Sequence, residues 1–152
     1  MASRRIENLH AAFQPLVRRF LSACKAAGHD VIITCGYRSA REQDDLYAQG
    51  RTRPGKRVTN APGGSSWHNY GLAVDVVFLR DGKADWNGPW EEIGRIGESL
   101  GLIWGGRFKT LPDRPHFEWH PGLTLARAKE LVAQGYKPTQ IPIPIEGRHQ
   151  DV

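Results

Sequence analysis

Two histidines and one aspartate are the side chains of this sequence most able to do chemistry together. His68 follows a loop rich in glycine and serine, Asp75 comes next inside a predicted strand, and His116 begins a later predicted strand. If the two strands are neighbours, two imidazole nitrogens and one carboxylate oxygen can bind one ion. That is the protein ligand set of a catalytic zinc site, with the fourth position left for water. The alternative is three separate structural roles: a loop hydrogen bond, a salt bridge and a core histidine.

A second carboxylate lies close to this set along the chain. Asp113 precedes His116 across Arg114 and Pro115, in a turn that can hold both side chains on one side. A carboxylate there could accept a proton from water whose pKa a zinc ion lowers toward about 7. Aspartate is also an ordinary turn residue, so the spacing leaves that interpretation open.

Short helices and strands must position these side chains. Alternating apolar residues predict a strand over 72–78, in which Asp75 is a single carboxylate that needs a partner. Residues 51–67 have loop composition, and Asp81 to Asn87 is predicted to be a turn. The other predicted elements are a helix over 15–27, a strand over 31–35, a helix opened by a Ser39/Glu42 capping box and ending near Gly50, a helix from Pro89 to Gly101, strands over 102–104 and 116–119, and a helix capped by Thr124.

Composition limits the class of protein. The chain has 152 residues, a formal charge of +5 and 39% hydrophobic residues, which suits one domain with a real core. Its apolar runs are far shorter than a membrane span, so no stable membrane insertion is expected. Lys and Arg are scattered, so no nucleic-acid partner is expected. Cys24 and Cys35 are expected to be buried as small hydrophobes.

Several motifs together resemble the LAS-type zinc peptidoglycan peptidases. Among them the chain is most similar to the L-alanyl-D-glutamate endopeptidase endolysins of bacteriophages and their bacterial relatives, beside the VanY-type D-alanyl-D-alanine carboxypeptidases. The resemblance covers about residues 9 to 130. Its motifs are Gly36-Tyr37-Arg38-Ser39, Gln43-x-x-Leu46-Tyr47, Val58-Thr59-Asn60-Ala61, Ser66-x-His68-Asn69-Tyr70-Gly71-x-Ala73-x-Asp75, Trp104-Gly105-Gly106 and Asp113-x-x-His116-Phe117-Glu118.

The resemblance assigns roles to individual residues. It implies one zinc ion per chain, bound by His68, Asp75 and His116. Asp113 matches the general base, and Arg38 matches the arginine that holds the scissile carbonyl or a nearby carboxylate. Ser66 matches the motif serine that lines the site.

Other residues near these motifs have two interpretations each. Trp67, Tyr37 and Trp104 line the cleft or pack in the core and at its rim, and Glu118 orients a ligand or forms a salt bridge. His120 matches no ligand position, because it lies about 13 Å from His116 along a strand, too far for one shared ion. His10, His29 and His149 are likewise not expected to be ligands.

The resemblance also implies a fold and a function. The fold expected is α+β, a single compact domain with a small, mainly antiparallel sheet flanked by helices, over residues 1–136. A proline-rich extended tail is expected over 137–152, in which Ile145-Glu146-Gly147-Arg148 resembles a protease-cleavage sequence. The function expected is zinc-dependent hydrolysis of the L-alanyl-D-glutamate bond of the peptidoglycan stem peptide.

The expected setting is that of a monomeric endolysin. It would be made in the host cytoplasm without a signal peptide and reach the cell wall through holin-made lesions. Three other functions stay open. They are a D-alanyl-D-alanine carboxypeptidase with the same metal site, a catalytically silent wall-binding or metal-sensing module, and a basic nucleic-acid binder.

Overall fold

Strand β2 (Ala73–Arg80) is the centre of the sheet and the element from which the site is built. The computed structural model describes residues 2–144. Strand β1 (Val31–Cys35) pairs with one edge of β2, and β5 (His116–Glu118) pairs with the other. Beyond β5 lies β4 (Ile103–Trp104), and β3 (Lys83–Asp85) pairs with the far end of β2. The four pairings between these named strands are antiparallel, which confirms the predicted α+β class.

In the described part of the chain, four α-helices flank this sheet. They are α1 (Gln14–Ala26), α2 (Ala40–Ala48), α3 (Trp90–Ser99) and α4 (Leu125–Ala133). The capping box at Ser39 and Glu42 and the side-chain cap at Thr124 are both present, as the sequence predicted. Within residues 2–144, no helix is long and apolar enough to span a membrane.

The core lies between the sheet and helices α1 and α3. Phe20 of α1 and Phe117 of β5 are fully buried, with ring centroids 4.5 Å apart. Helix α3 approaches the sheet closely through two glycines. A Cβ atom on Gly97 would lie 2.7 Å from the Phe117 ring, and one on Gly94 would lie 2.4 Å from the Trp104 ring. Glycine is therefore needed in the middle of this helix, where it otherwise costs stability.

We expect Gly94→Ala to lower the free energy of unfolding by about 1–3 kcal/mol, the usual cost of overpacking a filled core. The methyl group must displace the buried Trp104 ring, and this cost outweighs the better helix propensity of alanine. Urea denaturation measures the change. Ser99→Ala, on the exposed end of the same helix, is the matched control and should change stability by less than about 0.5 kcal/mol. A Gly94→Ala protein as stable as the wild type would contradict this packing argument.

Two predictions differ from the structure. Residues predicted as a turn contain β3, because Asp81 and Gly82 both have positive φ and form a tight hairpin. The tail predicted as extended contains a 3-10 helix at Pro138–Gln140, followed by the fully buried Ile141. Nε2 of His10 donates to the Ile141 carbonyl at 2.7 Å, which holds this segment against the core. The tail beyond residue 144 lies outside the described residues. It includes His149 and the sequence that resembles a protease-cleavage site.

Candidate active site

The sheet register places Asp75 between two other candidate residues. On β2, Asp75 is opposite Cys35 of β1 on one side and His116 of β5 on the other. The side chain of Asp75 is about one-quarter exposed, so its oxygens reach the surface of a cleft. Neighbouring strands therefore bring Asp75 and His116 together, as the sequence argument required.

His68 reaches the same carboxylate from a different element. It lies on the 3-10 turn Trp67–Tyr70, which Ser66 caps by accepting a hydrogen bond from the His68 amide. The turn ends at Gly71, whose φ is +66° and whose Cβ, if present, would lie 2.6 Å from the His10 backbone nitrogen. Only glycine fits that close approach, and the turn that carries His68 is fixed by it.

One oxygen of Asp75 meets a nitrogen of each histidine. Oδ1 of Asp75 lies 3.3 Å from Nε2 of His68 and 3.1 Å from Nδ1 of His116. The opposite nitrogen of each ring is also occupied. Nδ1 of His68 donates to the Gly36 carbonyl at 2.8 Å, and Nε2 of His116 donates to Glu118 at 2.6 Å. Both rings are thus fixed with one nitrogen directed at Asp75.

Two overlapping groups of potential metal ligands result from this geometry. Cys35, His68 and Asp75 form one group, and Asp75, Asp113 and His116 form the other, with the donor atoms of each group within 4.8 Å of one another. Asp75 belongs to both groups. The arrangement can bind a divalent cation, because imidazole nitrogen and carboxylate oxygen are the usual ligands of zinc.

Charge and burial shift the pKa values of this cluster strongly. Burial lowers the pKa of His68, but hydrogen bonds and attraction from Asp75 and Cys35 outweigh it and raise that pKa to about 10. The pKa of His116 is raised to about 9, because Asp75 and Glu118 likewise outweigh burial. For Asp75, burial raises the pKa but the two imidazolium groups hold it well below its usual range. Without metal, the cluster is therefore a carboxylate between two protonated imidazoles.

Asp113 lies at the mouth of the same cleft. Asp113 is exposed as a whole, but the cleft walls partly desolvate its carboxyl group. This desolvation and the repulsion from Asp75 raise the pKa of the carboxyl. Its backbone nitrogen donates to the Gly105 carbonyl at 2.9 Å, and a Cβ on Gly105 would lie 2.4 Å from the Asp113 carbonyl oxygen. Nε1 of Trp104 donates to the Arg114 carbonyl at 2.8 Å. The Trp-Gly-Gly element thus positions the loop that carries Asp113.

Arg38 enters the cleft from the turn between β1 and α2. Its guanidinium donates to Oε1 of Gln43 at 3.0 Å and to Sγ of Cys35 at 3.1 Å. Arg38 and Ser66 both line a cavity of about 320 Å³ that also contains the histidines and both aspartates. All six predicted site residues therefore face one cleft: Arg38, Ser66, His68, Asp75, Asp113 and His116.

The three aromatic residues with two interpretations pack elsewhere. Trp67 and Trp104 are buried in the core and do not line this cleft. Tyr37 lines a larger groove of about 680 Å³, beside Glu7 and Lys137, which contains none of the six site residues. Cavity size alone would therefore select the wrong surface, and the chemistry of the lining residues identifies the site.

Two contributors to the cleft were given no role by the sequence argument. Gln43 is 1% exposed, binds Arg38 through its oxygen, and donates to the Ala61 carbonyl at 2.8 Å. Cys35 is buried, as expected, but its sulfur also contacts Arg38 and His68. A polar residue on the buried face of a short helix was the available signal for Gln43, whereas Cys35 had none.

Comparison with known proteins relates this geometry to characterised enzymes. The sequence profile of a family described as D-alanyl-D-alanine carboxypeptidase, within the M15 peptidases, matches residues 59–119. The peptidoglycan L-alanyl-D-glutamate endopeptidase CwlK of Bacillus subtilis is 43% identical over an alignment of 122 residues. The alignment covers 70% of this chain and 73% of CwlK.

Several solved structures share the fold, among them an endopeptidase and a D,D-pentapeptidase. The L-Ala D-Glu endopeptidase ChiX of Serratia marcescens has a TM-score of 0.53 and 24% identity, over 84% of this chain and 91% of ChiX. A mutant of the vancomycin resistance D,D-pentapeptidase VanY, in complex with Zn(II), has a TM-score of 0.56 and 19% identity, over 86% of this chain and 81% of VanY. On its similarity to CwlK, together with the match to the family profile, the chain belongs to the M15 family of metallopeptidases, which hydrolyse peptidoglycan.

Proposed function

We propose that the protein is a zinc endopeptidase that hydrolyses the L-alanyl-D-glutamate bond of the peptidoglycan stem peptide. The observation that carries the proposal is the meeting of His68 and His116 at one oxygen of Asp75. CwlK and ChiX are both L-alanyl-D-glutamate endopeptidases, which supports the choice of this bond.

Each histidine meets Asp75 at a distance that suits two ligands of one zinc ion. His68 and His116 belong to different groups of donor atoms within 4.8 Å, and Asp75 is the residue that the two groups share. A tetrahedral ion with ligands at about 2.0–2.1 Å has ligands about 3.3 Å from one another. The two contacts to Asp75 are close to that length, at 3.3 and 3.1 Å. Backbone and carboxylate partners orient each imidazole from its far side, as ligating histidines require. One zinc ion per chain, bound by His68, Asp75 and His116, is therefore part of the proposal, and the Zn(II) complex of VanY supports the choice of metal.

The other cleft residues divide the chemical work. Zinc, when bound, supplies Lewis acidity and lowers the pKa of water in the cleft. The Asp113 carboxylate accepts a proton from the attacking water and returns it to the leaving amine. The Arg38 guanidinium, held by Gln43, donates to the oxygen on which negative charge develops. Ser66 lines the substrate side of the cleft and caps the turn that carries His68.

Digestion of defined muropeptides tests the function directly. We expect a new amino terminus at D-glutamate, identified by mass spectrometry, and loss of this product in the presence of a metal chelator. Release of terminal D-alanine alone would instead show a carboxypeptidase. That alternative has specific support from the family match over residues 59–119 and from the VanY fold, so both products must be measured in one digest.

Zinc binding is expected to release about two protons per ion at pH 7, because both imidazoles are protonated without metal and neutral when they bind it. Apparent affinity should therefore rise with pH and level off above about pH 9–10, where the histidines are already neutral. Isothermal titration calorimetry in buffers of different ionisation enthalpy counts the protons. Affinity that does not change between pH 6 and pH 8 would contradict the assignment of both histidines.

We also propose where and in what state the enzyme acts. The net charge of +5 supports attraction to the anionic cell wall. The resemblance of the motifs to phage endolysins supports a monomer that reaches the wall through holin-made lesions. Sedimentation measures the oligomeric state. Cells that express the protein should lyse when a holin is co-expressed and should not lyse without it, and this result would support the route.

A further inference from the structure

His120 is not one of the proposed metal ligands, but it contacts a residue beside each of the two ligating histidines. Glu118 uses both carboxylate oxygens, one for each of two imidazoles. Oε1 accepts from Nε2 of His116 at 2.6 Å, and Oε2 accepts from Nε2 of His120 at 2.5 Å. The Glu118 side chain is only 12% exposed, so few waters can replace either partner.

A second contact fixes the His120 ring. The Trp67 indole stacks on it, with ring centroids 4.1 Å apart and planes 8° from parallel. Trp67 directly precedes His68 on the 3-10 turn. His120 is therefore joined to one proposed ligand through Glu118 and to the turn of the other through Trp67.

We propose that His120 is a positioning residue that, through Glu118, holds His116 in the orientation needed to bind zinc. This inference rests on the proposed function. His116 and Glu118 are alternate residues of β5 and share one face of it. His120 follows just beyond the end of this strand, and the Glu118 carboxylate lies between the two rings because it contacts both. Without His120, Oε2 of Glu118 loses its partner, and the carboxylate can rotate away from Nε2 of His116.

Zinc affinity, measured by competition with a chromophoric chelator, tests the proposal. His120→Phe keeps a ring to stack on Trp67 but removes the hydrogen-bond donor, and we expect it to weaken zinc binding about tenfold, the lower end of the effect of outer hydrogen-bond partners. His120→Gln keeps an N–H donor and should recover most of that loss. His29→Phe removes another imidazole paired with a glutamate, Glu92, and should leave zinc affinity unchanged.

Equal losses in His120→Phe and His120→Gln would overturn the proposal, because restoring an N–H donor at this position would then make no difference to zinc binding. So would a zinc affinity in His120→Phe within twofold of wild type. If His120→Phe does not fold, Glu118→Gln replaces it, since an amide cannot accept from both imidazoles through two oxygens, and the same tenfold weakening is expected. The absorption spectrum of the cobalt-substituted protein gives a second readout. Altered ligand-field bands are expected in His120→Phe and in Glu118→Gln.

The proposed zinc site and the role of His120 can be refuted separately. A wild-type protein that binds no zinc overturns the proposed function. A wild-type protein that binds zinc, with variants indistinguishable from it, overturns only the role of His120.

Discussion

Asp113→Asn is expected to lower kcat by about 10²–10⁴-fold while the protein keeps its zinc. Asparagine has nearly the shape of aspartate but cannot accept the proton of the attacking water. The loop should keep its position, because the Asp113 backbone, not its side chain, donates to Gly105. Activity on muropeptides and metal content are measured on the same preparation.

The result also separates two roles that the geometry allows for Asp113. Its carboxylate lies within 4.8 Å of the donor atoms of Asp75 and His116, so it could serve as a metal ligand instead of a base. Loss of zinc together with activity in Asp113→Asn would show a ligand. Asp81→Asn, at an exposed turn where asparagine also tolerates positive φ, makes the same chemical change far from the cleft and should retain full activity.

The site was accessible from sequence because its residues lie on elements with strong local patterns. Alternating apolar residues identify β2 and show that Asp75 is a charge in a largely buried strand. The motif spacing then relates that strand to His68 and His116. Sequence alone could not give the register that sets Asp75 opposite His116, because strand pairing depends on contacts between distant segments.

The features that the sequence analysis missed have separate causes, some of them local and one that depends on distant contacts. Strand β3 has the composition Lys-Ala-Asp, which favours no strand, and exists because the Asp81-Gly82 turn returns the chain along β2. The segment after Gly135 is rich in proline but is held to the core by the buried Ile141 and its bond to His10. The sequence analysis excluded His120 as a ligand because of its distance from His116. It left two interpretations for Glu118, and it did not predict that the Glu118 carboxylate lies between the two histidines.

His68→Ala is expected to lose zinc and activity together. Removing a ligand should weaken zinc binding by more than the about 10–100-fold that follows loss of an outer partner. The fold of the metal-free variant should also be less stable than wild type at neutral pH. The raised pKa of His68 means that its protonated ring stabilises the fold fully below about pH 6.5, and this contribution fades as the pH rises toward 10.

His68→Ala is most informative beside Asp113→Asn, because the two residues lie in one cleft but the two variants should lose activity for different reasons. His68→Ala should lose activity in proportion to its lost zinc, whereas Asp113→Asn should lose activity at full occupancy. His68→Gln, closer in volume to histidine, controls for the cavity that alanine leaves beside Gly36, and His29→Ala controls for removal of an imidazole elsewhere. A His68→Ala protein that binds zinc as tightly as wild type would mean that Asp75, Asp113 and His116 form the metal site. The ligand set would then be the second of the two overlapping groups.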